Sequence, residues 1–187
     1  MQLYTERIMT STQLEELISA QEIQKKVAEI GTQIDQQYQG TALTIICIMK
    51  GAVCFVADLI RNIKIPCTID FIQASSYGAR GTTRGELTVV GLEQLDVKAK
   101  DILLIDDICD SGATLLEVSQ QIKLKNPRSL KTLALLCKKV PKVSDYTPDF
   151  CLFEVEDLFV VGYGLDYKEF YRGLPNICVL KNLFQVS

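Results

Sequence analysis

In ILLIDDICDSGATL (Ile102 to Leu115) an apolar run leads into Asp106, Asp107 and Asp110, which stand directly before a small-residue turn. That turn, Asp110-Ser111-Gly112-Ala113-Thr114, has the composition of an anion cradle. The first N–H groups of a helix have no partner inside the helix, and together with Ser and Thr hydroxyls they can hold a phosphate. Gly112 lets the backbone come close to such a ligand. Carboxylates repel phosphate, so the combination makes sense if the ligand carries phosphate at one end and hydroxyls at the other. A sugar phosphate has this form: the acids accept from its hydroxyls, the turn holds its phosphate, and Mg²⁺ can relieve the remaining like-charge repulsion. Taken alone, the turn reads equally well as a helix N-cap at Asp110 or Ser111, with the acids favouring the helix dipole.

The chain contains no histidine. Ser-His-Asp and Cys-His catalysis and most zinc sites are thereby removed. Acid–base work falls to Asp, Glu, Lys, Tyr or Cys, and a catalytic metal would be a hard cation on oxygen ligands.

These residues must be positioned by elements legible from hydrophobic period. LTIICIM (Leu43 to Met49), CTIDFIQASSY, ELTVVGL, DILLID and LKTLALLC read as strands, and AVCFVADLIRNI and ATLLEVSQQIKLK as helices. Two capping-box spacings, Thr12 with Glu15 and Ser19 with Glu22, open the chain with helical signals, and Ile23, Val27, Ile30 and Ile34 continue the second. DFCLFEV, LFVVGY and NICVL make the C-terminal third strand-rich. Strands alternating with helices predict an α/β fold, a mainly parallel sheet flanked by helices. Ligands then bind beyond the carboxyl ends of the strands, which singles out Lys50-Gly51, Asp106-Asp107, Lys138-Lys139 and the turn from Gly162 to Asp166.

Length and charge narrow the possibilities. At 187 residues the chain fits one domain, and 20 basic against 23 acidic residues (net −3) indicate no bulk attraction to nucleic acid or membrane. Neither a signal peptide nor a membrane span is legible, and the seven cysteines form no CxxC pair. The expectation is a cytoplasmic protein with reduced thiols.

IDDICDSGATL resembles the phosphoribosyl-diphosphate (PRPP) motif of type I phosphoribosyltransferases. MKGAVCFVADLIR, DFIQASSYG, LLCKK and FVVGYGLDYKEFYRGLPNICVL are similar, in order, to the hypoxanthine-guanine branch of that family. The resemblance spans roughly Leu43 to Leu180. It implies the type I fold as a single domain over residues 1–187, with a small hood built from the chain ends, the C-terminal segment forming its base-binding part. It also implies roles. Asp106 and Asp107 would bind the ribose hydroxyls and share in holding Mg²⁺, and Asp110 would be the acid/base at N7 of the purine. Asp110, Ser111, Gly112, Ala113 and Thr114 would hold the 5′-phosphate. Lys50-Gly51, in a loop where the family often has a cis peptide, and Arg172 would contact pyrophosphate. Lys138 would donate to the purine 6-oxo group, Phe159 would stack on the base and the Val160 backbone would read its edge. Asp166, also at the purine end, would hold Mg²⁺.

Each of these residues also has a plain structural reading. Lys50-Gly51 alone is a strand-to-helix turn, Lys138-Lys139 a solvated pair, Phe159 and Val160 core, and Asp166 with Arg172 an ion pair. SSYGARGTTRGE (Ser75 to Glu86) is either a solvated hairpin loop or a flexible lid with Ser76-Tyr77 at its base. Cys109, Ser111 and Lys142 stand where relatives more often carry Ile, Thr and Arg; a Lys there gives up bidentate anion binding.

The implied activity is purine salvage. The 5-phosphoribosyl group of Mg²⁺-PRPP would pass to N9 of hypoxanthine or guanine, giving IMP or GMP plus pyrophosphate. Its partners would be PRPP and a 6-oxopurine, with no nucleic acid and no membrane, in a homodimer or homotetramer. The alternatives are a PRPP-sensing regulator of weak or no activity and an Asp-rich phosphotransferase. The absence of a Walker A loop and of a DxDGT nucleophile counts against the latter.

Overall fold

A computed structural model describes residues 13–76, 87–141 and 146–181. Its frame is a six-stranded sheet of β2 (Leu43–Met49), β3 (Cys67–Ser76), β4 (Leu87–Val90), β5 (Asp101–Cys109), β6 (Ser129–Lys138) and β7 (Phe150–Val155). Their order is β4-β3-β2-β5-β6-β7. All neighbours are parallel except β4, which runs antiparallel to β3. The predicted α/β architecture is therefore the one observed.

Helices α1 (Ala20–Gln37) and α2 (Val53–Asn62) cover one face, where Ile23, Val27, Phe55 and Leu59 pack with Ile45, Leu103 and Ile105. Helix α3 (Ala113–Lys123) covers the other, where Leu115, Val118 and Ile122 meet Ile46, Ile102 and Leu104. β5, central to the sheet, is buried from Asp101 to Asp106, and Ile102 to Ile105 between these acids is continuously apolar where an exposed strand would alternate. α1 starts with the predicted capping box: the Ser19 N–H donates to Glu22 Oε2 at 2.9 Å and the Glu22 N–H to Ser19 Oγ at 3.3 Å.

The first helical signal fails. β1 (Gln13–Ile18) is a strand, although Thr12 and Glu15 have capping-box spacing. It pairs antiparallel with β9 (Ile177–Lys181), with Lys181 and Glu15 in an ion pair, and the open edge of β9 outweighs a weak local preference. Residues of LFVVGY form only a short strand, β8 (Val160–Val161), on the other edge of β9. The resulting three-stranded sheet β1-β9-β8 joins the two ends of the described chain, as expected of the hood.

In the large sheet, β3 and β5 lie on opposite sides of β2. The connections after β2 and β5 therefore diverge to opposite faces and leave a crevice at the carboxyl ends of these strands.

Candidate active site

That crevice is a cavity of about 340 Å³. Met49 and Gly51 line it from the end of β2, and Asp106 to Leu115 from the end of β5 and the turn into α3. β5 runs to Cys109, beyond the DILLID segment, so Asp106 and Asp107 lie within the strand and not past its end. Asp106 is buried, and its Oδ1 accepts the Asp107 N–H at 3.1 Å. Asp107 Oδ1 accepts the Ile108 N–H at 3.0 Å. Burial, with the neighbouring Asp107 carboxylate, holds Asp106 well above the usual carboxylate range. Burial raises Asp107 as well, against the pull of its hydrogen bonds and of Arg172. Two crowded carboxylates of this kind favour hydroxyl donors or a cation.

The turn ends at Gly112, the residue capping α3, which sits at φ 84° and supplies no side-chain cap. Neither Asp110 nor Ser111 occupies the N-cap position. The first-turn amides of α3 thus open the helix beside Ser111 and Thr114 in the cavity wall, a suitable arrangement for phosphate. Buried Cys109 packs toward α3 with Leu115, a place a small apolar side chain fills.

From the β2 side, the Met49–Lys50 peptide is cis. Gly51 lies against the acids: a Cβ there would stand 1.7 Å from Asp107 Oδ2. Gly164, at φ 104°, presses on the same loop, since its Cβ would stand 2.0 Å from the Gly51 carbonyl oxygen. Sequence reading missed Gly164 as a contact residue; the only local signal is its position in a Gly-Tyr-Gly turn. Gly164 belongs to the segment from Gly162 to Arg172, which carries the remaining charges. Arg172 Nη2 lies 2.9 Å from Asp166 Oδ1 and 3.3 Å from Glu169 Oε2, and Nη1 donates to the Gly164 carbonyl at 2.8 Å. Arg172 Nε is buried with no hydrogen-bond partner, an orphan donor that suits an anion. Lys50 reaches Glu169 at 3.1 Å.

β5 and β6 pair with Cys109 opposite Cys137, which sets Asp110 beside Lys138. Lys138 Nζ lies 3.9 Å from Asp110 Oδ2 and 2.9 Å from Asp157 Oδ1. Asp157 was not anticipated, although the strand-end rule applied to β7 points there. Phe159 is exposed and meets the Tyr167 ring edge to face, with centroids 5.6 Å apart, while Val160 is buried in β8 opposite Val179. A half-open aromatic face suits stacking on a planar ligand.

Asp106, Asp107 and Asp166 do not converge: no group of three potential metal ligands forms among the described residues. The oxygen-rich donor set nonetheless fits Mg²⁺, which binds through one or two carboxylates and completes its shell with substrate oxygens and water. Tyr77, most of the proposed lid, and Lys142 lie outside the described residues.

The Phosphoribosyl transferase domain family matches residues 13–168. The hypoxanthine-guanine phosphoribosyltransferase of Bacillus subtilis (strain 168) is 45% identical over 165 residues, 88% of this chain and 92% of that protein. The chain belongs to the hypoxanthine-guanine phosphoribosyltransferase family. The hypoxanthine phosphoribosyltransferase of Salmonella typhimurium, another relative in this family, is 37% identical over 88% of this chain and 93% of that one. Among solved structures, a hypoxanthine phosphoribosyltransferase from Staphylococcus aureus superposes with TM-score 0.84 at 35% identity, covering 92% of this chain and 94% of that one. A hypoxanthine-guanine phosphoribosyltransferase from Bacillus anthracis gives TM-score 0.81 at 38% identity, covering 88% and 97%. Membership of this phosphoribosyltransferase family agrees with the two-sheet fold and with the crevice beside β5.

Proposed function

We propose that the chain is a purine-salvage enzyme that transfers the 5-phosphoribosyl group of PRPP to N9 of hypoxanthine or guanine, releasing pyrophosphate. The observation carrying this reading is the joint placement, around one crevice, of an acid pair, an open helix N-terminus and the adjacent Lys138 and Asp110. The relatives named above are phosphoribosyltransferases, and nothing favours the regulator.

In this reading the amides of Gly112 to Thr114, with the hydroxyls of Ser111 and Thr114, anchor the 5′-phosphate. Asp106 and Asp107 accept from the ribose hydroxyls, which satisfies two carboxylates that burial otherwise penalises. Asp106 and Asp107 on one side and Asp166 on the other would each offer carboxylate oxygens to Mg²⁺, one or two at a time with substrate oxygens completing the shell, and the ion would supply positive charge opposite the departing pyrophosphate. Lys50, the Gly51 backbone and Arg172 bind that leaving group.

Charge develops at C1′ as the bond to pyrophosphate breaks and N9 approaches, so the barrier falls where anions flank the sugar and cations flank the leaving group. Asp110 exchanges the proton at N7 of the base. Lys138, set between the carboxylates of Asp110 and Asp157, donates to a 6-oxo acceptor; adenine offers a donor there and is rejected. Phe159 stacks on the base, and the Val160 backbone meets its edge. The protein is expected to be cytoplasmic and to assemble as a homodimer or homotetramer; no helix among the described residues is long and apolar enough to cross a membrane.

The test is pyrophosphate release from PRPP and Mg²⁺ with hypoxanthine, guanine, xanthine and adenine in turn. Turnover with the 6-oxopurines and none with adenine is expected, and chelation of Mg²⁺ should abolish it. No turnover with any purine would overturn the reading.

A further inference from the structure

One residue of the loop between β8 and β9 has no part in the scheme above. Glu169 extends its carboxylate to two cations at once, Lys50 Nζ at 3.1 Å and Arg172 Nη2 at 3.3 Å. These two come from segments far apart in sequence, and both are assigned to pyrophosphate. The Glu169 side chain is two-thirds exposed (65%), whereas that of Arg172 is largely enclosed (24%).

The backbone that carries it has an unusual conformation. Lys168, Glu169 and Tyr171 have φ of 52°, 70° and 74°, in the left-handed region that residues with a Cβ seldom enter. The Glu169 N–H donates to Asp166 Oδ2 at 2.8 Å, which ties the residue to the acid that also grips Arg172. Spread between two cations, this carboxylate presents them with what a diphosphate oxygen would present.

We propose that Glu169 is an internal competitor for pyrophosphate: its carboxylate holds Lys50 and Arg172 until the diphosphate group displaces it. The inference rests on the reading that Lys50 and Arg172 bind pyrophosphate. It has a consequence for the reaction. Each cation exchanges one anion for another, so the net gain on binding diphosphate is reduced, and pyrophosphate leaves more readily after transfer. Arg172 Nε, which Glu169 does not satisfy, remains a donor for the incoming anion.

The test is calorimetric titration of inorganic pyrophosphate, and separately of PRPP, into the full chain, wild type against Glu169→Gln and Glu169→Ala. Exposed ion pairs are individually weak, so removing the competitor should tighten pyrophosphate binding by about threefold to tenfold in both variants. The binding should also become more salt-dependent, because two uncompensated cations now face the ligand. Glu29→Gln, on α1 and paired with Lys26, should leave the affinity unchanged. In a Lys50→Gln background the gain from Glu169→Gln should shrink. Unchanged or weaker binding in both Glu169 variants would mean that the residue merely orients Lys50, and overturns the proposal; so does an undiminished gain without Lys50. A wild-type chain that binds neither pyrophosphate nor PRPP overturns the site reading itself.

Discussion

Lys138 Nζ stands 3.9 Å from Asp110 Oδ2 and 2.9 Å from Asp157 Oδ1, which brings the residue assigned to the purine 6-oxo group beside the residue assigned to N7. The pair makes two separable predictions. Lys138→Ala removes a charged donor and should raise the purine KM roughly tenfold to a hundredfold, with little change in KM for PRPP. An intact purine KM would remove Lys138 from the base site.

Asp110→Asn keeps the shape of the turn but cannot exchange a proton. Its kcat should fall by about 10²- to 10⁴-fold while the Kd for PRPP stays within about threefold. Wild-type turnover in a pre-steady-state assay would refute the acid/base role.

Gly51 has no room for a side chain, since a Cβ would stand 1.7 Å from Asp107 Oδ2. Gly51→Ala should therefore displace Asp107 or the loop. Because misplacement by about 1 Å costs on the order of a hundredfold, kcat/KM should drop by about that factor. A variant of wild-type activity would show that the contact with Asp107 is dispensable.

Asp106→Asn should trade function for stability. The buried carboxyl is penalised by burial and by Asp107, whereas an amide keeps an acceptor for the Asp107 N–H. The ligand-free variant should unfold with a stability higher by on the order of 1 kcal/mol, and PRPP affinity should fall. Denaturant unfolding and PRPP titration on the same sample test both halves, and a less stable variant contradicts the first.

Far from the site, Arg128 Nε donates to Asp101 Oδ1 at 2.9 Å, Arg128 Nη2 grips Oδ2, and Ser129 Oγ donates to Oδ1 at 2.7 Å. The Arg128 hydrogen bond foremost lowers the Asp101 carboxyl to about 2 from 3.8. A depressed acid stabilises the fold above its unfolded pKa, and this contribution is lost as pH falls through the folded value. Asp101→Asn should therefore cost about 1–3 kcal/mol at pH 7, and the gap from wild type should close between about pH 4 and pH 2. Parallel urea unfolding curves across that range are the check.

Much of this was legible in the residues. The apolar runs of β2, β5 and β6 announce buried parallel strands, because a strand covered on both faces has no reason to alternate. The Ser19–Glu22 box announces α1, because its two hydrogen bonds are local. The acids, the turn and Lys138 stand where apolar runs end, and that alone marks them in a parallel sheet. Less legible were Glu169 and Asp157, which look like ordinary exposed acids until the cations from other segments are brought to them.

The sequence by itself thus determined the elements and the chemical inventory of the crevice, since period, capping and the order of residue types are properties of neighbours along the chain. Only the tertiary structure decided that Gln13 to Ile18 pairs as a strand, that β5 carries Asp106 and Asp107 inside the sheet, and that β8 leaves the main sheet for the hood. It alone set Gly51 against Asp107 and Glu169 across Lys50 and Arg172. Those outcomes depend on which edges and surfaces meet across long stretches of chain, and pairing an open edge or filling a gap can outweigh the small local preferences that a sequence displays.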